Sequence, residues 1–248
     1  MKKIAFFVEG PTETFFIKRL LSELVTQQRI RFVEYDLKGG YEGNPRVINI
    51  IAEDVLSSRQ QYQINIYTCN ADNHVNQDVR ENLSTLQREG FTQVIALKDL
   101  RGNYKGVDGI PHAFAPADYP QQKAIQNFIF RDSHIPVTSI IAVMEIETWF
   151  LSEITHYERI SPKLTQTIIT TNQASLEANP FTDDMEQVLQ PAELLNDIYQ
   201  LVKLNYSKKK SIRERTINKL DMAEIYFQLP EKLASLEELT QVIDSFLS

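Results

Sequence analysis

The sequence predicts an α/β fold: a mostly parallel sheet flanked by helices, followed by a mainly helical C-terminal extension. Three observations predict it. Ile4–Val8, Val94–Leu97 and Thr138–Met144 are short apolar runs without alternation, the form of strands buried on both faces. Between them lie stretches with apolar residues at every third or fourth position, as in helices that pack one face on a sheet. Beyond about Ser152 the buried-strand runs stop and only helical patterns continue.

In chain order, the first strand, Ile4–Val8, is stopped by Glu9-Gly10-Pro11-Thr12-Glu13. A helix follows, because Phe16, Ile17, Leu20, Leu21, Leu24 and Val25 share one face. Gly10 at its N-cap and Pro11 at N1 put Glu13 at N3. There a carboxylate meets the helix dipole and reaches back to cap, so Glu13 is assigned a structural role. Arg29–Leu37 has strand character and runs into a turn-rich loop over residues 39–45, after which Arg46–Leu56 reads as a helix. Ile64–Thr68 is a further strand, and Asn76–Glu89 a helix capped by Asp72 or Asn73 and closed by Gly90. Val94–Leu97 is the next buried strand, Pro120–Phe130 a helix, and Thr138–Met144 the last strong strand. Helices are expected at Pro191–Lys203, Ile212–Gln228 and Leu236–Phe246. The expected domains are therefore an α/β domain over residues 1–152 and a helical extension over 153–248.

The chain has 248 residues, with 26 Lys and Arg against 33 Asp and Glu, a net charge of −7. As a whole it is no polycation that coats nucleic acid, so an anionic partner must meet a local patch. A single cysteine, Cys69, excludes an internal disulfide framework and any site of several thiolates. Glu9 interrupts the first apolar run too early for a signal peptide, and no stretch approaches the roughly 18 apolar residues of a membrane span. A cytoplasmic protein without a membrane partner is expected.

Ligands of open α/β sheets bind beyond the carboxyl ends of the strands. Those ends here carry Glu9, Asp72 with His74, Asp99, and Glu145 with Glu147. Gly10 beside Glu9 lets the backbone turn sharply. Carboxylates gathered without several Cys or His residues favour a hard divalent cation, Mg²⁺ first and Mn²⁺ as its substitute. Such an ion keeps coordination positions for water and phosphate oxygen, which phosphodiester chemistry needs. Glu145 and Glu147 share a face if the strand persists and point apart if a helix has begun. Cys69, Asp72 and His74 match no zinc spacing. His112, His134 and His156 are expected at the surface, and Trp149 and Phe150 in the core. Ser207–Arg215 (SKKKSIRER) is a dense basic run. Its Lys208, Lys209, Lys210 and Arg213 are candidates for binding a phosphate backbone, and the same run also fits a solvated helix start.

Phe6-Phe7-Val8-Glu9-Gly10-Pro11-Thr12-Glu13 resembles the opening of Toprim domains, whose members include primases, topoisomerases and overcoming-lysogenisation-defect nucleases. It is most similar to small bacterial Toprim-like families described mainly as domains of unknown function. In these the opening is followed by a strand ending in Asp and later by an acid-rich strand end, here residues 96–102 and 144–150. The resemblance covers about residues 1–152 and implies a Rossmann-like sheet, Mg²⁺ and phosphoryl transfer. It implies that Glu9 moves a proton and that Asp99 is the first metal position. The second Asp of the family's pattern is replaced by Arg101. Glu145 or Glu147 would then supply the missing carboxylate, and Arg101 would contact phosphate. Three functional expectations follow. One is a Mg²⁺-dependent nuclease acting on DNA or RNA. Another, which Arg101 favours, is a non-catalytic Toprim-like scaffold binding nucleic acid or a protein partner in a defence or repair system. The third is a small-molecule phosphate or nucleotide enzyme using the same crevice.

Overall fold

A computed structural model of the chain describes residues 1–40, 44–70, 74–105 and 111–248. Its strands are β1 (Lys2–Val8), β2 (Ile30–Lys38), β3 (Val47–Glu53), β4 (Tyr62–Thr68), β5 (Gln93–Asp99), β6 (Asn103–Lys105), β7 (Pro111–Ala113) and β8 (Val137–Ala142). The helices are α1 (Pro11–Leu24), α2 (Val75–Arg88), α3 (Tyr119–Phe130), α4 (Glu147–Ser152), α5 (His156–Ile160), α6 (Gln166–Thr171), α7 (Pro191–Gln200), α8 (Lys210–Ile217), α9 (Met222–Phe227) and α10 (Ala234–Leu247). The α/β class holds, with six strands in the order β3-β2-β4-β1-β5-β8 and a separate β6-β7 pair. β1 pairs in parallel with β4 and β5, and β2 in parallel with β4, while β3 is antiparallel to β2. No helix among the described residues is long and apolar enough to cross a membrane.

The chain divides into two units that interleave along the sequence. One comprises Met1–Lys98, Gln121–Ile141 and Gln241–Ser248, the other Asp99–Pro120 and Ala142–Thr240.

In the first unit, successive residues of β1 point to opposite faces of the sheet, and both faces are covered. Ala5 and Phe7 join Val75, Val79 and Leu86 of α2 in one cluster, with Phe130 and Ile135. Ile4, Phe6 and Val8 on the opposite face are equally buried. This double burial is why β1 and β5 read as unbroken apolar runs. Phe7, Tyr67 and Tyr35 stack in sequence, each pair of ring centroids 4.4 Å apart. The α1 start forms as its sequence dictates: Gly10 N–H donates to Glu13 Oε2 at 2.9 Å, so Glu13 closes a cap. Gly90, at φ +81°, ends α2 in the left-handed conformation expected of a C-terminal glycine.

The helix expected over Arg46–Leu56 is a strand instead, β3, with irregular structure after it. Val47, Ile48, Ile50 and Ile51 are β-branched, stiff about χ1 and better suited to a pleated edge than to a helix. All seven residues of β3 are exposed, so no buried face selected between the two periods. The expected caps Asp72 and Asn73, and residues 41–43 of the Gly-rich loop, lie outside the described residues.

The second unit is mainly helical and has its own core. Trp149, Phe150, Leu195, Ile198, Tyr157 and Leu236 are fully buried within it. Trp149 also donates its indole N–H to Ser235 Oγ at 3.1 Å. The single stretch expected over Ile212–Gln228 is two helices, because Asp221 caps α9. Its Oδ1 accepts from Ala223 N–H at 3.0 Å and Glu224 N–H at 3.1 Å.

His156 corrects another expectation: it is fully buried rather than on the surface. Burial pushes its imidazole down to about 4, leaving it neutral beside the Glu153 carbonyl. Glu153, also buried, accepts from Thr155 N–H (2.9 Å), Arg159 Nη2 (3.0 Å) and Asp221 N–H (3.1 Å), which ties α4, α5 and α9 together. His112 and His134 are exposed, as expected.

Trp149→Ala is expected to lower the unfolding free energy by roughly 3–5 kcal/mol, whereas the edge substitution Ile50→Thr changes it by less than about 0.5 kcal/mol. Urea unfolding of the two variants beside the parent checks both values.

Candidate functional site

The ends of β5 and β8 bring three acids together in the second unit. Past the sheet register, Leu100 N–H donates to Ala142 O and Arg101 N–H to Met144 O, both at 2.9 Å. These bonds hold the two outgoing segments side by side. Met144 then turns the chain sharply, with φ +60°, and Glu145 N–H donates back to Val143 O at 2.9 Å. A left-handed conformation at a residue other than glycine costs of order 1–3 kcal/mol, so the surrounding bonds must impose it. They include Thr148 Oγ1 to Val143 O at 2.8 Å and Ile146 N–H to Asp99 Oδ1 at 3.0 Å. The corner turns Glu145 toward Asp99 and starts α4 at Glu147. Although the helix has begun, both glutamates reach one cluster. One carboxylate oxygen each from Asp99, Glu145 and Glu147 lies within 4.8 Å of the others, and all three residues are buried.

The cluster is anchored on every side. Glu145 Oε1 accepts from Arg101 Nη1 at 2.7 Å and Lys208 Nζ at 3.3 Å, while its Oε2 accepts Ala192 N–H at 3.0 Å. Ala192 lies in the first turn of α7, so Glu145 also sits at the positive end of that helix. Glu147 Oε1 accepts from Tyr206 Oη at 2.6 Å and lies 4.0 Å from Lys208 Nζ. Burial alone would raise the Glu145 carboxyl, but Lys208, the Ala192 N–H and Arg101 together outweigh it and hold the group below the ordinary carboxylate range. Reciprocally, Glu145 raises the Arg101 guanidinium. Among the contacts described, three carboxyl groups meet two basic side chains. The carboxylates are buried and fixed, whereas the Arg101 and Lys208 side chains are 49% and 52% exposed at the rim.

Of the sequence-predicted residues, Asp99, Arg101, Glu145, Glu147 and Lys208 come together. Glu9 follows β1 in the first unit, buried, and is not one of the three grouped acids; Gly10 and Glu13 serve the start of α1. Lys209 is the N-cap of α8 and Lys210 its first residue, both exposed. Arg213 donates to Lys208 O at 3.0 Å, which steadies the lysine that reaches the acids. Sequence reasoning missed Tyr206 and Ala192. The only local signal was position: Tyr206 stands two residues before Lys208, and Ala192 directly after the Pro that opens α7.

A family model described as a domain of unknown function, DUF4276, matches residues 8–225. The chain belongs to this DUF4276 family. Nothing matches among the curated proteins or the solved structures. The DUF4276 match takes in Glu9, the acid cluster and the basic run as one stretch, and it stops short of α10.

The lowered Glu145 carboxyl has a pH consequence. Its ionised form contributes stability that is fully present above the ordinary value of 4.5 and is lost as the pH falls through the lower value of the folded state. Glu145→Gln is expected to cost roughly 1–3 kcal/mol at neutral pH and to flatten the acid limb of the stability curve. Urea unfolding from neutral to acidic pH measures both effects; an unchanged acid limb contradicts the assignment.

Proposed function

We propose that this DUF4276 protein is a divalent-metal-dependent phosphoryl-transfer enzyme, a nuclease acting on phosphodiesters of DNA or RNA. One observation carries the reading: three buried carboxylates from the β5 and β8 ends offer oxygen atoms within 4.8 Å of one another. An all-oxygen donor set fits Mg²⁺ or Mn²⁺ rather than zinc. The likeness of the β1 loop to Toprim openings supports the same chemistry. Asp99, Glu145 and Glu147 would hold the ion, which when bound supplies a Lewis acid for a phosphate oxygen and activates water. Tyr206 fixes the Glu147 carboxylate by its hydroxyl, and Ala192 N–H fixes that of Glu145. Arg101 and Lys208, half exposed beside the acids, would offer their positive charge to a substrate phosphate. The proton-moving role of Glu9 is what the resemblance alone implies, and Glu9→Gln tests it separately from metal binding.

A second reading has its own observation. Arg101 and Lys208 already pair with Glu145, so the cluster is neutralised in large part by the chain itself. That favours a non-catalytic scaffold for nucleic acid or a protein partner.

Titration with Mn²⁺ by calorimetry decides between them. The enzyme reading expects binding that Asp99→Asn weakens at least roughly tenfold. It also expects metal-dependent cleavage of mixed DNA and RNA substrates that the same substitution abolishes. Absence of metal binding in the parent protein leaves the scaffold.

A further inference from the structure

Beside the acid cluster, within the second unit, lies a cavity of about 340 Å³. Ala113, Phe114, Met144 and Leu189 form its apolar walls, and Arg101 and Gln190 supply its polar groups. We propose that this cavity seats the base of a nucleotide whose phosphate is held by Arg101. The proposal rests on the phosphoryl-transfer reading and adds the substrate class to it: a nucleotide unit recognised through its base as well as its phosphate.

Size and chemistry agree. The volume falls in the range of small-ligand pockets, roughly 300–1,000 Å³, which are mostly apolar with a few placed polar groups. An aromatic ring, a pliable thioether and an aliphatic side chain suit a flat π-face of any base. Gln190, whose amide nitrogen is turned to the Glu193 carboxylate at 2.7 and 2.8 Å, is a polar residue of the lining. Leu189 is 51% exposed, and a stacked base would take that apolar surface out of water.

The cavity is also built into the acid cluster. Arg101 lines the cavity while its Nη1 holds Glu145. The Arg101 N–H donates to the carbonyl of Met144, a wall residue directly before Glu145. Gln190 is the N-cap of α7, whose Ala192 N–H holds the other oxygen of Glu145. Phe114 is tied to the residue after Arg101, since its N–H donates to Gly102 O at 3.0 Å. Base and phosphate positions therefore share the same supports, and a nucleotide spans from one to the other through Arg101.

The test is direct binding, with Ca²⁺ in place of Mg²⁺ to suppress cleavage. The probes are a labelled single-stranded oligonucleotide, the same strand carrying base-free sugar-phosphate residues, and a free nucleoside monophosphate as competitor. The parent protein is expected to bind the base-bearing strand roughly tenfold more tightly than the base-free one. Leu189→Ser, a neutral change at an exposed position, and Phe114→Leu are expected to remove that ratio while leaving base-free binding and the Mn²⁺ titration unchanged. Competition by the monophosphate identifies a free nucleotide as sufficient ligand, and its failure identifies a strand as the required one. Equal affinity for the two strands, no binding of either, or an unchanged ratio in both variants overturns the proposal. Metal-dependent cleavage without base discrimination overturns the base site alone, and base discrimination without metal binding overturns the phosphoryl-transfer reading alone.

Discussion

A carboxylate taken out of water costs several kcal/mol unless charge and hydrogen bonds replace its hydration, and Glu145 is 1% exposed. Everything around it in the second unit is arranged to meet that cost. Arg101 arrives from the end of β5, Ala192 from the first turn of α7, and Lys208 from the segment before α8. Three stretches far apart in sequence thus converge on one side chain. Because each partner is directional, the residue they hold is placed to within hydrogen-bond tolerance, and Asp99 and Glu147 are placed with it. The same bonds that stabilise the unit therefore fix the acids relative to one another.

This double duty explains why the ion-paired cluster fits both a metal enzyme and a scaffold. Paired cations lower the repulsion among acids whose oxygens lie less than 5 Å apart. On the metal reading proposed above, an ion would compete with Arg101 and Lys208 for Glu145. Their half-exposed positions make that competition feasible, since a guanidinium or ammonium at the rim can exchange one oxygen anion for another at little loss of hydration.

What the sequence made legible was local. Unbroken apolar runs marked β1 and β5 because both faces of those strands are buried, and Gly10, Pro11 and Glu13 marked the start of α1 because a cap is a contact within four residues. Asp99, Glu145 and Glu147 stood out as acids at strand ends. Partners separated by long stretches of chain did not. Arg101 stood where the resemblance expects a carboxylate, and only its contact with Glu145, 44 residues away, shows it as that acid's counter-charge. β3 was misread because isoleucines at 48 and 51 satisfy a helical period while 48 and 50 satisfy a strand period, and its pairing with β2 decided between them. His156 was misplaced because its burial depends also on a distant element, which brings the Tyr199 ring against it.

Met144 sets an unusual scale of tolerance at the corner of the site. At most buried positions the milder substitution is the one that best preserves side-chain volume, and glycine is the harshest choice. With φ at +60°, residue 144 reverses the backbone half of that ranking. Glycine adopts this conformation without strain, whereas a β-branched residue of nearly matched volume pays the largest conformational penalty. Relaxing the corner with glycine would also remove a wall of the neighbouring cavity. Backbone ease and cavity shape thus pull the choice of residue in opposite directions, and an unbranched, flexible side chain such as methionine is where the two demands meet.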